Sequence, residues 1–341
     1  MSYNRSGIPR AYMDRVSHDL VTGWRVIGDH DLEDPQPTSG SLGDLFDMRP
    51  TNFVTWATNS HPITIIIDTG FSSGTNSEAN FLAILGHNLN YAGAKFSLAS
   101  CSVSAFNSSV NSITDDSETE IVNATHEGGY IKPGYNGWSL ITWPEPTANN
   151  RFYRLIINPV STNFSYPVKI GNVLLGEYID FPHSPNANLK FSVDYEGSKI
   201  LTSAGGQSFS SASYLGSPPW AVTNPWILAT YQSETASYEI SRHMGRRRWN
   251  MDFSYINDTD LFMSNMRGAA GDVIDGSDLY SQFYNKALGE HQPFLFTNNG
   301  SAAGAGAESG FGLYRLASGN IESTQVTPNT WNSSFSFVEH W

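Results

Sequence analysis

The stretch from Ile63 to Leu89 constrains the fold more than any other part of the sequence. It opens with a β-branched run, Ile63–Asp68, and it ends with an apolar run, Phe81–Leu85, that stops at Gly86. Both runs have the length and composition of buried strands. The segment between them is rich in Gly, Ser and Asn, which predicts a loop. Two buried strands joined by a polar loop predict a β-sandwich core.

The composition is typical of an all-β protein with many turns. Only 15% of the 341 residues are charged, which is below the usual quarter. The net charge of −13 argues against a broad nucleic-acid-binding surface. Cys101 is the only cysteine, so we expect no internal disulfide and no cysteine metal site. A membrane-spanning helix needs about 20 apolar residues in a row, and no apolar run here approaches that length. We also see no signal peptide.

We predict two folded parts after a polar leader. Residues 1–41 read as leader and linker, with a candidate short helix between Pro9 and Gly23. Residues 42–183 are predicted to form a jelly-roll β-sandwich. Residues 184–341 are predicted to form a second, mostly β domain with one or two short helices.

Two segments of the second part have clear patterns. Apolar and polar residues alternate over residues 249–256, which predicts a strand with one buried face. The apolar positions are Trp249, Met251, Phe253 and Tyr255. Further along, Ser277 or Asp278 is placed to cap a helix that runs to Leu288 and stops at Gly289.

The sequence contains no convincing catalytic or metal-binding pattern. Gly70–Gly74 matches G-x-S-x-G, but polar residues follow where a nucleophile elbow needs a helix, so we interpret it as a turn. None of the nine histidines lies in an H-E-x-x-H pattern or at ligand spacing from Cys101. We therefore predict a protein with no catalytic residues, metal site or cofactor.

Five residues are candidates for contacting a ligand. His87 and Asn88 come where a strand meets a loop, so they form either a hydrogen-bonded turn or a polar rim that contacts a ligand or partner. Tyr91 ends the same loop. Trp138 and Trp143 flank a strand, and their rings either stack on sugars or pack in the core.

Residues 42–182 resemble the galactose-binding-like, discoidin-type jelly roll. The similarity rests on Trp56 ahead of the core strand, IIIDTG in place of the family's I-x-IDLG, and the later stretches RFYRLIIN and KIGNVLLGEYI. The disulfide common in secreted members is absent, and no loop residues match a known ligand set. The resemblance implies sugar binding by loops at one end of the sandwich. The corresponding loops here are Phe71–Asn80, His87–Tyr91 and Gly128–Trp138.

The whole chain is similar to structural proteins of tailed-phage virions. The stretches that carry this similarity are IPRAYMD, LGHNL, LGEYIDFP, GRRRWNMDFSYINDTDLF and QPFLF. The last two resemble the ring domains of distal tail and baseplate proteins. The resemblance implies a non-enzymatic component of the tail tip or baseplate, in a homo-oligomeric ring with other virion proteins. Such a protein is assembled in the bacterial host cytoplasm.

Three adjacent arginines are the candidate assembly residues. In an acidic protein we expect Arg246, Arg247 and Arg248 to pair with carboxylates of a neighbouring chain or of their own domain. The alternative is a solvated turn. Two other classes of function stay open, namely a free carbohydrate-binding, lectin-like protein that meets a host glycan and a glycan-degrading enzyme.

Overall fold

The chain folds into antiparallel sheets with a few short helices, which confirms the predicted all-β class. The computed structural model describes residues 7–17, 25–26, 36–69, 79–107, 110–116, 119–134, 137–144, 150–194, 198–212, 246–262, 278–301 and 310–340. The Gly70–Gly74 motif and most of the loop Phe71–Asn80 lie outside these residues.

The described strands are between two and twelve residues long. In chain order they are β1 (Arg10–Asp14), β2 (Arg25–Val26), β3 (Val54–Trp56), β4 (Ile63–Asp68), β5 (Phe81–Leu85), β6 (Ala94–Cys101), β7 (Asn111–Ser112), β8 (Glu120–Val122), β9 (Ala124–Glu127), β10 (Tyr130–Pro133), β11 (Trp138–Thr142), β12 (Phe152–Pro159), β13 (Val168–Ile170), β14 (Asn172–Asp180), β15 (Lys190–Asp194), β16 (Ser198–Thr202), β17 (Ser208–Ala212), β18 (Arg246–Asn257), β19 (Phe294–Thr297), β20 (Phe311–Leu316), β21 (Ser323–Thr327) and β22 (Thr330–Glu339). The helical segments are Leu42–Phe46, Asp258–Leu261, Tyr280–Tyr284 and Asn285–Ala287.

Two sheets contain most of these strands. The large sheet has 11 strands in the order β15-β18-β22-β20-β19-β1-β14-β5-β11-β8, with β21 added on β22. The small sheet has 7 strands in the order β2-β4-β12-β6-β10-β9, with β7 added on β6. The strands β4, β5 and β6 alternate between the two sheets, and so do β11, β12 and β14. This alternation is how a jelly roll joins its two layers.

The two sheets pack face to face around one apolar core, as the β-branched run at β4 predicts. Both layers supply side chains that are at most 2% exposed. Those residues include Ile63, Ile65, Ile67, Phe96, Leu98, Leu155 and Ile157 from the small sheet, and Leu82, Ile84, Ile141, Val173 and Leu175 from the large one. The predicted β-sandwich is therefore present.

The strand β1 corrects the prediction for the start of the chain. Arg10–Asp14 form a strand and not part of a helix, and this strand pairs antiparallel with both β14 and β19. Ala11 and Met13 are buried on one face, and Tyr12 is buried on the other. A run that is apolar on both faces is typical of a central strand. At Gly176 of β14, a side chain would collide with the carbonyl oxygen of Met13, so glycine permits the close pairing.

A shared apolar cluster joins the sandwich to the C-terminal part. Tyr12 contacts Phe81 with ring centroids 5.2 Å apart, and Trp138 contacts Phe311 at 5.4 Å. On the opposite side, Lys286 Nζ donates to Glu177 Oε2 at 2.6 Å. The large sheet thus runs without a break across the boundary we placed between residues 183 and 184, and that division of domains stays a prediction.

The C-terminal part confirms the predicted helix and most of the predicted strand. Asp278 caps the helix, since its Oδ1 accepts from the backbone N–H of Ser281 at 2.8 Å, and Leu288 ends it in the left-handed conformation. In β18, Met251 and Phe253 are buried as expected. Tyr255 is not buried, because a β-bulge between Phe253 and Ile256 turns its side chain outward.

Candidate functional site

His87 and Asn88 are buried structural residues. His87 Nε2 lies 3.0 Å from Ser139 Oγ, and its Nδ1 accepts from the backbone N–H of Leu89 at 3.4 Å. A neutral ring that accepts at Nδ1 carries its proton on Nε2, which is the wrong tautomer for activating Ser139 as a nucleophile. Asn88 bridges two backbone groups, since Nδ2 donates to Pro167 O and Oδ1 accepts from Lys169 N. This geometry favours the hydrogen-bonded turn over a ligand rim.

The two candidate tryptophans do not present their rings to solvent. Trp138 is fully buried against Phe311, and Trp143 is 5% exposed beside Tyr153. Their position favours core packing over sugar stacking. Tyr91 is half-buried at the end of its loop. The structure therefore does not bring the five predicted residues together as a binding surface.

The three arginines at the start of β18 have three different environments. Arg247 is buried and pairs with Glu339 of its own chain, with Nε donating to Oε1 at 2.9 Å. Arg248 lies 3.8 Å from Asp194 in a much more exposed pair. For Arg247, the carboxylate partner is therefore an internal one.

Arg246 lies close to two other arginines, Arg49 and Arg315, and to His340. We call these side chains the positive group. Arg315 lies beside His340, with Nη2 at 3.2 Å from Nε2 of the ring. Burial, together with the charges of Arg315, Arg246 and Arg49, lowers the pKa of His340 to about 4. Burial and the charge of Arg246 also lower the pKa of Arg315. This local concentration of positive charge in an acidic protein suits an anionic partner.

An exposed apolar surface lies on β15 and on the hairpin β16–β17. We call this surface the apolar arm. The hairpin strands pair only with each other among the described residues, and Ile200 and Leu201 are 72% and 66% exposed. The remaining large apolar residues of the arm are Phe191, Val193 and Phe209. Large apolar side chains exposed in this number favour an interaction site.

A groove lined mainly by polar side chains crosses β18 and β22. We call it the polar groove, and its volume is about 260 Å³. Its lining residues are Asn250, Asp252, Leu316, Ser318, Asn320, Ile321, Ser334, Phe335 and Ser336. Asn250 lies opposite Ser336 and Asp252 lies opposite Ser334 in the strand register. The groove is therefore built from the polar faces of two neighbouring strands.

Hydrogen bonds hold the groove side chains in fixed positions. Ser336 Oγ donates to Asn250 Oδ1 at 2.7 Å, and Ser334 Oγ donates to Asp252 Oδ1 at 2.7 Å. Asn188 Nδ2 donates to the other carboxylate oxygen of Asp252 at 2.6 Å. Among the described residues, no group accepts from Asn250 Nδ2.

The sequence patterns contained part of this groove. Asn250 and Asp252 are the polar members of the alternation in β18, and Ser334 and Ser336 alternate with Phe335 and Phe337 in β22. Each pattern predicts a polar face. The pairing of two strands more than 80 residues apart could not be deduced from either pattern alone.

The described residues show neither a metal cluster nor a membrane-spanning helix. No group of three or more His, Cys, Asp or Glu side chains among them is placed to hold a metal ion. No described helix is long and apolar enough to cross a membrane.

Comparisons with known proteins give only distant structural similarity. No protein-family profile matches the sequence, and no curated protein matches it. Among solved structures, the chain is similar to chitosan-binding module 1 of a chitosanase/glucanase from Paenibacillus sp. IK-5. The two are 13% identical, the match covers 45% of this chain and 92% of that module, and the TM-score is 0.28. A TM-score this low does not establish a common fold.

Proposed function

We propose that this protein is a non-enzymatic structural component of a tailed-phage virion, at the tail tip or baseplate. Its similarity to phage structural stretches suggests the setting. The observation that supports an assembly role most directly is the apolar arm, with Ile200, Leu201 and Phe209 each more than half exposed. Burying such side chains against another subunit is favourable by about 25 cal/mol per Å².

The rest of the fold suits a structural role. One sheet continues from the sandwich into the C-terminal part through β1, and Tyr12 lies in an apolar cluster with side chains of both. A continuous sheet and a shared core hold the sandwich and the C-terminal strands, β15 among them, in a fixed relative orientation. In this proposal the arm and the positive group around Arg246 contact neighbouring virion subunits in a homo-oligomeric ring.

The assembly role is tested by substituting the arm. We expect Ile200→Ser with Phe209→Ser to reduce the oligomers seen by mass photometry and negative-stain microscopy, with unchanged circular dichroism. The matched control is Val160→Ser, which changes an exposed valine of the sandwich. Oligomers larger than a dimer that survive the arm variant, or a wild-type chain that stays monomeric at all concentrations, would contradict this role.

The virion setting has its own test. A phage that encodes this chain is purified on a density gradient, and its particles are analysed by mass spectrometry and cryo-EM. We expect the protein at the tail end of the particle in several copies. Particles that lack it would overturn the virion proposal and leave the arm result to stand on its own.

Carbohydrate binding is a second candidate function, and the polar groove favours it. Hydroxyl-rich, uncharged ligands need donors and acceptors together, and the groove offers both beside the apolar Ile321 and Phe335. Its volume of about 260 Å³ is just below the roughly 300–1,000 Å³ of drug-sized sites, which suits one sugar unit. Asp252 is the single carboxylate in the lining, whereas glycosidases need a pair.

A glycan array followed by calorimetry tests the second candidate. We expect Asn250→Ala with Ser336→Ala to abolish binding of any glycan that the wild type binds. Ser161→Ala on an exposed turn of the sandwich serves as control. Binding that is insensitive to the groove variant would place the site elsewhere, and release of reducing ends from a bound glycan would indicate an enzyme.

A further inference from the structure

The strand β15 forms an edge of the large sheet among the described residues. It stands at one end of the strand order of that sheet and pairs only with β18 among the described residues. All five of its residues are exposed. An exposed edge strand is a template on which another strand adds by backbone hydrogen bonds.

The sequence of β15 is complementary to itself when it is reversed. If two copies lie antiparallel with Ser192 at the centre, Lys190 of one copy lies opposite Asp194 of the other. In the same register, Phe191 lies opposite Val193 of the second copy. Each Lys190–Asp194 pair joins opposite charges, and both Phe191–Val193 pairs lie on one face of the sheet. A register shifted by two residues loses these charge pairs.

We propose that β15 pairs antiparallel with β15 of a second copy of this chain about a two-fold axis at Ser192, joining two large sheets into one. Phe191 is 50% exposed, and its ring lies 4.7 Å from that of Trp249. The facing Val193 of the second copy covers the open side of that ring pair. Asp194 lies 3.8 Å from Arg248 of its own chain. In the dimer, Lys190 of the second copy approaches Asp194 from the opposite side. This inference holds whichever function the protein has.

A two-fold contact closes after two chains and does not build a ring by itself. The β16–β17 hairpin is not used in this contact, so its Ile200, Leu201 and Phe209 remain for larger assembly. The two surfaces can therefore be tested one at a time.

Disulfide trapping at the axis tests the pairing. Directly opposed residues of antiparallel strands have Cα atoms about 4.5 or 5.5 Å apart, which is within the range that a disulfide needs. In a Cys101→Ser background, we expect Ser192→Cys to form a covalent dimer under mild oxidation. Ser161→Cys, on an exposed turn, reports random collisions. Cross-linking of Ser192→Cys that is no faster than that of Ser161→Cys would overturn the proposal.

A charge reversal tests the register. Lys190→Glu places two like-charged pairs across the axis, and we expect it to raise the dimer Kd by about tenfold or more in low salt. Lys132→Glu makes the same change of net charge at an exposed residue of β10 and should leave the Kd unchanged. Circular dichroism verifies that both variants fold. Equal effects of the two reversals would reject this register.

Discussion

Arg247 and Glu339 form a buried ion pair that links the start of β18 to the C-terminal end of β22. The backbone N–H of Arg247 donates to Oε2 at 2.9 Å, and its Nε donates to Oε1 at 2.9 Å. The same guanidinium donates from Nη2 to the carbonyl oxygen of Phe311 at 2.8 Å. The side chain of Glu339 is 1% exposed. The middle arginine of the triplet therefore secures three strands of its own chain.

Glu339→Gln is expected to lower the free energy of unfolding by roughly 3–5 kcal/mol, because it leaves a buried guanidinium without its counter-charge. Urea unfolding followed by circular dichroism measures the change. The control is Arg248→Ala, which removes the exposed pair with Asp194 and should cost about 0–1 kcal/mol. Equal losses in the two variants would mean that burial does not decide the strength of these pairs.

Arg246 is the arginine of the triplet that we expect to matter for assembly. It lies among positive groups whose charges lower the pKa of His340 and of Arg315. Arg246→Ala should weaken oligomers most at low salt, since salt screens charge interactions beyond about 10 Å at 0.1 M. Mass photometry across a salt series measures this. An unchanged salt dependence, with the fold intact, would rule out the positive group as an assembly contact.

The buried His87 makes stability depend on pH. Burial lowers the pKa of His87 from 6.5 to about 3, so between these values the unfolded chain binds a proton that the folded chain does not. Stability from the neutral ring is therefore complete above about pH 6.5 and is lost as the pH falls toward 3. The loss amounts to on the order of several kcal/mol at the acid end.

Unfolding experiments at pH 7.5, 5.5 and 4 test this dependence. We expect His87→Gln to lose less stability than the wild type between pH 7.5 and 4, because glutamine does not take up a proton. Both proteins share every other titrating group, so the difference isolates the ring. Parallel pH curves for the two proteins would show that the burial of His87 is not linked to acid unfolding.

Sequence patterns predicted the strands and the helix cap that depend on neighbouring residues in the chain. The β-branched run at Ile63–Asp68 predicted a buried strand. The sequence offered Ser277 or Asp278 as the helix cap, and Asp278 takes that position because its carboxylate satisfies a free backbone N–H group. Alternation in β18 located Met251 and Phe253 in the core. Each of these outcomes depends on residues within a few positions of one another.

The remaining features depend on distant parts of the chain. Ala11, Tyr12 and Met13 have no distinctive pattern, and their strand is defined by two partners that follow much later, β14 and β19. The sequence around Trp138 does not distinguish a ring that packs on Phe311 from a ring that stacks on a sugar. The polar groove exists only because Asn250 lies opposite Ser336. The composition of a loop or strand therefore indicates which ligands its side chains could contact. Only the pairing of the strands shows whether those side chains are accessible to a ligand.

Tyr255 occupies a backbone conformation that disfavours tyrosine. Its φ is 65° at the bulge of β18, and its side chain is 66% exposed. The left-handed region costs a residue with a Cβ about 1–2 kcal/mol, whereas glycine adopts it freely. We expect Tyr255→Gly to be neutral or to raise the free energy of unfolding by up to about 1 kcal/mol. Thermal unfolding measures it against Val326→Gly in β21, which should destabilise by at least roughly 0.5–1 kcal/mol.

Tyr12 should couple the stability of the sandwich to that of the C-terminal part. Its buried ring contacts Phe81 in the first and Phe311 in the second, with centroids 5.2 and 6.1 Å apart. Tyr12→Ala removes a fully buried aromatic ring and is expected to cost about 3–5 kcal/mol. Because the cavity opens where both parts meet, we expect the calorimetric transition of the whole chain to broaden or to divide in two. Val160→Ala, on the exposed surface, should leave a single transition at nearly the wild-type temperature. If Tyr12→Ala lowers the midpoint but keeps one sharp transition, the two parts unfold together without depending on this ring.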